Sequence, residues 1–214
     1  MVNIIFDMDG TLLDTQKIYV PAWEYAGKAF GVEGMGNCVF ELCGSNGETC
    51  KKFMTEKYPN VDYGKFRELI ESYIKEHATV RFKKGAKEFI DYLIEKEIPF
   101  AVATSTAREG AIERLNAVGY ADKFKVTVCG DEVTKGKPDP EPFLKAAQKL
   151  GADPETCIVF EDSPLGIRAA HTAGMKAVGI FDLVEFSDEI KGLMYAELEN
   201  LSEAIALVEG LANS

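Results

Sequence analysis

The 214 residues of the chain suffice for one sizeable hydrophobic core with an inserted module. A formal net charge of −11 argues against a general nucleic-acid binder, because affinity for a phosphate backbone comes mainly from clustered Lys and Arg. The 5 cysteines include no Cys-x-x-Cys pair, so they indicate neither a disulfide framework nor a zinc site and favour free thiols in a reducing cytosol.

The chain opens with a short apolar run at residues 2–6, which stops at acidic and glycine residues. This pattern predicts a buried strand that ends in a functional loop. The start lacks the basic residues and long apolar stretch of a signal peptide, and no later run approaches the roughly 20 apolar residues of a membrane span. We therefore expect a cytoplasmic protein without a membrane partner.

The segment that follows contains no convincing strand pattern up to residue 81. Residues 19–30 have the pattern of a helix, and a second stripe at helical spacing comprises Phe66, Leu69, Ile70, Tyr73 and Ile74. We expect residues 15–81 to form a helical cap that is inserted after the first strand. The core domain would then comprise residues 1–14 and 82–214.

Short apolar runs rich in β-forming residues return after the cap, and helical patterns separate them. The runs are residues 98–104, 125–129, 157–160 and 176–180. Apolar stripes that begin at Ala86 and Ala111 predict two of the helices, while Asp139 and Gly151 frame a third and Ser163 and Gly174 a fourth. The alternation predicts an α/β fold with a doubly wound parallel sheet, whose ligands bind beyond the carboxyl ends of the strands.

Asp7 and Asp9 lie two residues apart just beyond the first strand, where an extended backbone would direct both side chains to the same side. Mg²⁺ suits such a pair because it prefers oxygen ligands, and Gly10 permits close approach of the backbone. A solvated acidic turn is the plain alternative. A calcium-binding loop is excluded, because the sixth and twelfth positions counted from Asp7 are Leu12 and Ile18 rather than the Gly and Glu that such a loop requires.

Residues 2–15, which read VNIIFDMDGTLLDT, resemble the first signature of the haloacid dehalogenase superfamily. Residues similar to the remaining signatures follow in order, namely Thr104 after a strand, Lys137 in KGKPD, and Glu161-Asp162 after another strand. The resemblance spans essentially the whole chain. It implies a Rossmann-like α/β core with an inserted helical cap and a phosphoryl-transfer activity.

By this resemblance Asp7 attacks phosphorus and forms an aspartyl-phosphate, while Asp9 protonates the departing alcohol and later activates water. Thr104 would donate a hydrogen bond to a phosphoryl oxygen, and Ser105 would add a backbone amide. Lys137 would neutralise charge on Asp7 and on the transferring phosphoryl group.

The same resemblance implies a Mg²⁺ cofactor with Asp7, Asp9 and Asp162 as ligands. For Glu161 two interpretations stay open, since an acid just before a helix either supports or contacts the metal or merely caps the helix.

The cap position and the segment FEDSPLGIRAA resemble the branch that contains β-phosphoglucomutase and many sugar-phosphate phosphatases. Tyr19 stands where that mutase has a cap histidine, and Gly47 where it has a cap arginine. We therefore expect hydrolysis of a small phosphorylated metabolite, a sugar phosphate, rather than the reaction of a phosphosugar mutase. A non-catalytic phospho-accepting or ligand-binding module is disfavoured, and a monomer is the default expectation.

Overall fold

The computed structural model describes residues 2–212, and within them six parallel strands form one sheet. The strands are β1 (Asn3–Phe6), β2 (Phe100–Ala103), β3 (Thr127–Val128), β4 (Cys157–Glu161), β5 (Lys176–Ile180) and β6 (Ala196–Leu198). They are arranged in the order β3-β2-β1-β4-β5-β6, so the first strand of the chain lies near the centre. Its carboxyl end therefore points into the middle of one edge of the sheet.

Helices connect the strands and also fill the interval between β1 and β2. They are α1 (Tyr19–Ala29), α2 (Cys38–Glu41), α3 (Gly47–Lys57), α4 (Tyr63–His77), α5 (Ala86–Glu95), α6 (Arg108–Ala117), α7 (Glu141–Leu150), α8 (Pro164–Thr172), α9 (Asp188–Lys191) and α10 (Ala204–Ala212). No helix within residues 2–212 has both the length and the apolar character needed to cross a lipid bilayer. The alternation of strands and helices confirms the predicted α/β fold with a parallel sheet.

The apolar residues of β1 anchor the centre of the sheet from both sides. Successive side chains of a strand point to opposite faces, so Ile4 and Phe6 lie in one hydrophobic cluster while Ile5 lies in another. Phe6 stacks on Phe160 of β4 with ring centroids 5.5 Å apart. Because β1 is buried along its whole length, the loop that follows it starts from a rigid base.

Helices α1 to α4 build a third hydrophobic cluster of their own. Trp23 of α1 packs edge-on against Phe66 of α4 with ring centroids 5.1 Å apart, and Met54 of α3 is buried beside them. The side chains of Asn46 and Asp62 accept hydrogen bonds from backbone amides in the first turns of α3 and α4. The segment between β1 and β2 is therefore helical, as its periodicity predicted.

The two connections between this helical insert and the sheet run side by side. The amide of Asp14 donates to the carbonyl of Arg81 at 3.0 Å, and the amide of Lys83 donates to the carbonyl of Leu12 at 2.9 Å. Leu13 and Phe82 form an isolated antiparallel bridge between them. This pairing supports the predicted domain limits at residues 14/15 and 81/82, which stay a prediction.

Two parts of the fold differ from the expectation. The edge strand β6 was not predicted, because its residues are polar or only partly buried and it pairs with β5 alone. Strand β3 is shorter than the predicted run at residues 125–129, since it pairs only with β2, through Thr127 and Val128. An edge strand has one partner, so apolar content alone sets neither its presence nor its length.

Candidate active site

The carboxyl ends of β1, β2 and β4 open into a cleft of about 970 Å³ that the helical insert covers. The cleft is lined from the sheet side by Asp7, Asp9, Thr104, Ser105, Glu161 and Asp162. From the insert it is lined by Tyr19, Trp23, Asn46, Cys50, Phe66 and Arg67. Six residues that the sequence singled out thus border one cleft, and Lys137 contacts two of them.

Gly10 brings the first loop against the end of β4. Its φ of 93° lies in the left-handed region, and a Cβ atom at this position would lie 2.2 Å from Oδ2 of Asp162. The amide of Gly10 donates to the carbonyl of Leu13 at 2.8 Å, which closes the loop on itself. Asp7 and Asp162, which are far apart in the sequence, become neighbours in this way.

Lys137 forms a buried ion pair with two carboxylates. Its Nζ lies 2.5 Å from Oδ1 of Asp7 and 2.5 Å from Oε1 of Glu161. Burial alone would lower the pKa of Lys137, but the charges of Asp7 and Glu161 hold it above its ordinary value. Lys137 therefore carries a positive charge directly beside the carboxylate that is predicted to attack phosphorus.

Asp7, Glu161 and Asp162 each offer a carboxylate oxygen within 4.8 Å of the others. Oδ1 of Asp162 accepts from the Thr11 hydroxyl at 3.0 Å, whereas its buried Oδ2 has no hydrogen-bond partner within residues 2–212. Burial raises the pKa of Asp162 well above its usual range, and burial raises that of Asp7 to about 8 against the opposing effect of Lys137. Crowded oxygen ligands with an unpartnered atom fit a hard divalent cation such as Mg²⁺.

The carboxylate of Asp9 does not belong to this group. Its Oδ1 accepts from the Thr15 hydroxyl at 2.6 Å and from Nη1 of Arg114 at 2.5 Å. Its Oδ2 accepts from the Thr106 hydroxyl at 2.7 Å. Asp9 thus lines the cleft beside Asp7 with a side chain turned towards α6, and its predicted role as a metal ligand stays a prediction.

Thr104 and Ser105 follow β2 and face the same cleft. Oγ1 of Thr104 accepts from the amide of Thr106 at 3.1 Å, which leaves its proton available to an incoming acceptor. The Ser105 hydroxyl instead donates to the carbonyl of Gly44 at 3.0 Å, a residue of the helical insert. Thr104 is therefore free to contact a ligand through its hydroxyl, while Ser105 ties the sheet to the insert.

Glu161 is held by both of its oxygens. Oε1 binds Lys137, and Oε2 accepts from the amide and the hydroxyl of Ser163 at 2.5 and 2.8 Å. The Ser163 hydroxyl in turn accepts from the amide of Gly166 and caps α8. One oxygen thus contacts the site through Lys137 and the other contacts the residue that caps α8, so both interpretations of Glu161 stay open and its contact with a metal stays a prediction.

Arg114, Thr15 and Thr106 are site residues that the sequence did not single out. Arg114 lies near the end of α6, with 18% of its side chain exposed, and contacts Asp9 across 105 positions of sequence. The available signal was an arginine next to the buried stripe of α6 that contains Ala111 and Leu115. Such a residue is either a surface arginine or a buried ion-pair partner, and spacing does not separate the two.

Comparisons with known proteins agree with this geometry. A family model described as haloacid dehalogenase-like hydrolase matches residues 4–180. A phosphorylated carbohydrates phosphatase of Thermotoga maritima is 32% identical over 212 residues, which cover 98% of this chain and 94% of that protein. The structure of a hydrolase from Pseudomonas syringae covers 98% of this chain and 99% of its own, with a TM-score of 0.84 and 25% identity. The structure of β-phosphoglucomutase from Clostridium difficile covers 100% of this chain and 98% of its own, with a TM-score of 0.81 and 25% identity.

The matched region extends from β1 to the end of β5, so it includes every strand end that borders the cleft. The resemblance stated from the sequence motifs is therefore confirmed. The chain belongs to the haloacid dehalogenase-like hydrolase family, among the phosphatases of its β-phosphoglucomutase-like branch.

Proposed function

We propose that the protein is a Mg²⁺-dependent hydrolase of a small sugar phosphate that works through an aspartyl-phosphate on Asp7. The observation that carries the proposal is the buried contact between Asp7 and Lys137 beside Glu161 and Asp162. A nucleophilic carboxylate, a fixed cation and further oxygen ligands at one strand edge are what phosphoryl transfer by positioning and charge stabilisation requires.

In the first step the carboxylate of Asp7 attacks phosphorus, while Lys137 stays bound to its Oδ1. The bond between phosphorus and the ester oxygen breaks, and Asp9 gives a proton to the alcohol that leaves. Lys137 offsets the negative charge of the transferring group, and the Thr104 hydroxyl donates to one of its oxygens. Mg²⁺ held by Asp7 and Asp162, when bound, would supply further charge neutralisation at the phosphoryl oxygens.

In the second step a water molecule attacks phosphorus of the aspartyl-phosphate. Asp9, now a carboxylate, takes a proton from this water, and the bond between phosphorus and Asp7 breaks. Inorganic phosphate leaves, and both aspartates return to their starting states. Two easier steps thus replace one difficult displacement.

A sugar phosphate is favoured by the cleft and by a relative. A volume of about 970 Å³ accommodates a ligand of this size, and Trp23 and Tyr19 of the insert offer amphipathic surfaces for a sugar ring. The Thermotoga maritima relative is named for the hydrolysis of phosphorylated carbohydrates. We propose the same class of substrate here.

A phosphosugar mutase is the second candidate, because the β-phosphoglucomutase structure superposes along the whole chain. A mutase must hold a second phosphate and keep water from the aspartyl-phosphate. Gly47, at the start of α3, has no side chain with which to bind that phosphate. The hydroxyl of Tyr19, at the position of the mutase's cap histidine, accepts a hydrogen bond from Arg114 at 2.6 Å and is therefore already engaged. Both observations support hydrolysis.

The proposal is tested by measuring phosphate release from a panel of phosphomonoesters with Mg²⁺ and without it. We expect turnover of sugar phosphates, and Asp7→Asn should reduce it roughly 10⁴-fold or more because the nucleophile is gone. Asp122→Asn, which changes an exposed aspartate paired with Lys123, is the matched control and should leave turnover unchanged.

Two results would contradict hydrolysis. Interconversion of glucose 1- and 6-phosphates without release of phosphate would assign the protein as a mutase. A stable phosphorylated chain without turnover, seen as a mass increase of one phosphoryl group, would assign a non-catalytic module.

We further propose that the protein is a cytoplasmic monomer. Light scattering after size exclusion measures its mass and so tests the monomeric state.

A further inference from the structure

Arg114 joins three parts of the molecule at the edge of the cleft. Its Nη1 donates to Oδ1 of Asp9 at 2.5 Å and to the Thr106 hydroxyl at 3.3 Å. Its Nη2 donates to the hydroxyl of Tyr19, the first residue of α1, at 2.6 Å. The guanidinium also lies 5.9 Å from the centre of the Tyr19 ring. One side chain of the sheet domain therefore contacts the loop after β1, the loop after β2 and the helical insert.

These contacts determine where the Asp9 carboxylate points. Oδ1 accepts from Arg114 and Thr15, and Oδ2 accepts from Thr106, so rotation of the side chain would break at least one charge-assisted bond. Of these three donors, Arg114 carries the charge, and its planar fork also reaches Tyr19. The neutral hydroxyls of Thr15 and Thr106 hold the carboxylate less strongly.

We infer that Arg114 is a positioning residue that orients Asp9 for proton transfer, and that Tyr19 links this orientation to the placement of the helical insert. The inference rests on the proposed function, in which Asp9 protonates the leaving alcohol. Arg114 acts through Asp9 and does not contact Asp7, whose partner is Lys137. Its removal should therefore impair steps that need a proton and spare those that do not.

Substrates with different leaving groups distinguish the steps that need a proton from those that do not. A sugar alkoxide leaves only with a proton, whereas p-nitrophenolate is a weak base that leaves without one. The values of kcat/KM for both substrates report the steps up to departure of the leaving group. For the best sugar phosphate of the panel, we expect Arg114→Met to lower kcat/KM about 100-fold, but less than about 5-fold for p-nitrophenyl phosphate.

Two milder variants keep the test valid if Arg114→Met does not fold. Tyr19→Phe retains the ring but removes the hydroxyl that accepts from Arg114. It should lower kcat/KM for the sugar phosphate about 3- to 10-fold and affect kcat/KM for p-nitrophenyl phosphate less. Arg114→Lys should restore part of the loss, because one ammonium can reach Asp9 but cannot bridge to Tyr19 as well. Arg108→Lys on the same helix is the control, since Arg108 binds Glu132 and the carbonyl of Thr127. It should leave the ratio of the two kcat/KM values, sugar phosphate to p-nitrophenyl phosphate, unchanged.

An equal loss of kcat/KM on both substrates would overturn the inference. If kcat falls, the loss would assign Arg114 a merely structural role, and if only KM rises, it would make Arg114 a phosphate-binding residue. A wild-type protein that hydrolyses neither substrate would instead reject the proposed function. The two failures are thus distinguishable.

Discussion

Gly10 sets the distance between the first loop and the acid that follows β4. With a φ of 93°, it adopts a conformation that other residues reach only with strain. A methyl group at this position would lie 2.2 Å from Oδ2 of Asp162, an oxygen atom without a hydrogen-bond partner in the described chain. One absent side chain therefore keeps the carboxylates of Asp7 and Asp162 within reach of a common cation.

Gly10→Ala should destabilise the protein by about 2–4 kcal/mol, because it combines backbone strain with a clash against a buried carboxylate. It should also abolish stabilisation by Mg²⁺, since Asp162 has to move. Urea unfolding measures the first effect, and the shift of the unfolding temperature with Mg²⁺ concentration measures the second.

Gly119→Ala separates strain from the clash. Gly119 has a φ of 74°, but a Cβ atom there would meet nothing within 4 Å. We expect a loss of about 1 kcal/mol and an unchanged response to Mg²⁺. An unchanged Mg²⁺ response in Gly10→Ala as well would show that Asp162 is not a ligand.

At the scale of elements, Glu132 connects the segment after β3 to two helices. Its carboxylate accepts from the amide of Cys129 at 2.9 Å, from Arg108 of α6 at 2.5 Å and from Lys149 of α7 at 3.1 Å. Partial burial by itself would raise the pKa of Glu132, but these donors lower it to about 2. The short strand β3 thus gains from its flanking loop the anchorage that pairing with β2 alone does not give it.

This shift predicts how stability depends on pH. Because the pKa of Glu132 is lower in the folded state, its contribution is present above the ordinary value of 4.5 and is lost as pH falls towards 2. Glu132→Gln should lower the free energy of unfolding by about 2 kcal/mol at pH 7. The difference from wild type should shrink between pH 4.5 and pH 2.

Urea unfolding of both proteins over this pH range tests the sign of the effect. Glu56→Gln, which changes an exposed residue of α3, controls for the loss of one negative charge. A difference between wild type and Glu132→Gln that stays constant down to pH 2 would contradict the assignment.

At the scale of the whole molecule, the helical insert is attached through charged residues at its two connections. Lys83 binds Oδ1 of Asp182 at 2.7 Å and the carbonyl of Phe181 at 3.1 Å, so the second connection is tied to the loop after β5. The side chain of Asp182 is fully buried, and 13% of that of Lys83 is exposed. The insert is thereby fixed to the carboxyl edge of the sheet.

Lys83→Met should reduce the free energy of unfolding by about 2–4 kcal/mol, because it leaves the buried charge of Asp182 without its close partner. Lys17→Met is the matched control. Lys17 lies 4.0 Å from the same carboxylate with 65% of its side chain exposed, so its loss should change stability by less than about 0.5 kcal/mol. Equal effects of both substitutions in urea unfolding would show that Lys83 does not hold the connection.

The sequence predicted those features that depend on local order along the chain. Buried strands such as β1 and β4 are short apolar runs, and Asp7 and Asp162 could be placed at the sheet edge because each directly follows such a run. The position of Lys137 followed from the order of the motifs, not from its own surroundings.

Features that depend on side-chain orientation could not be predicted in the same way. The spacing of Asp7 and Asp9 predicted that both side chains point to the same side, but the Asp9 carboxylate turns to Arg114 and Thr106, and its role as a metal ligand stays a prediction. Three donors from three segments compete for that carboxylate, and two-residue spacing contains no information about them. Arg114 was missed for the same reason, because its partners are visible only once α6 is packed against the loop after β1.

The separate hydrophobic cluster of the helical insert has a consequence for how such a protein changes its specificity. Bond breaking is assigned to side chains at the sheet edge, while Trp23, Cys50 and Arg67 border the cleft from the insert. Substitutions on that lining can alter which alcohol is accepted without touching the phosphorus chemistry. Tyr19 is an exception to this modularity, because its hydroxyl is bound to the arginine that orients Asp9. Retargeting the enzyme is therefore best begun at the other insert residues.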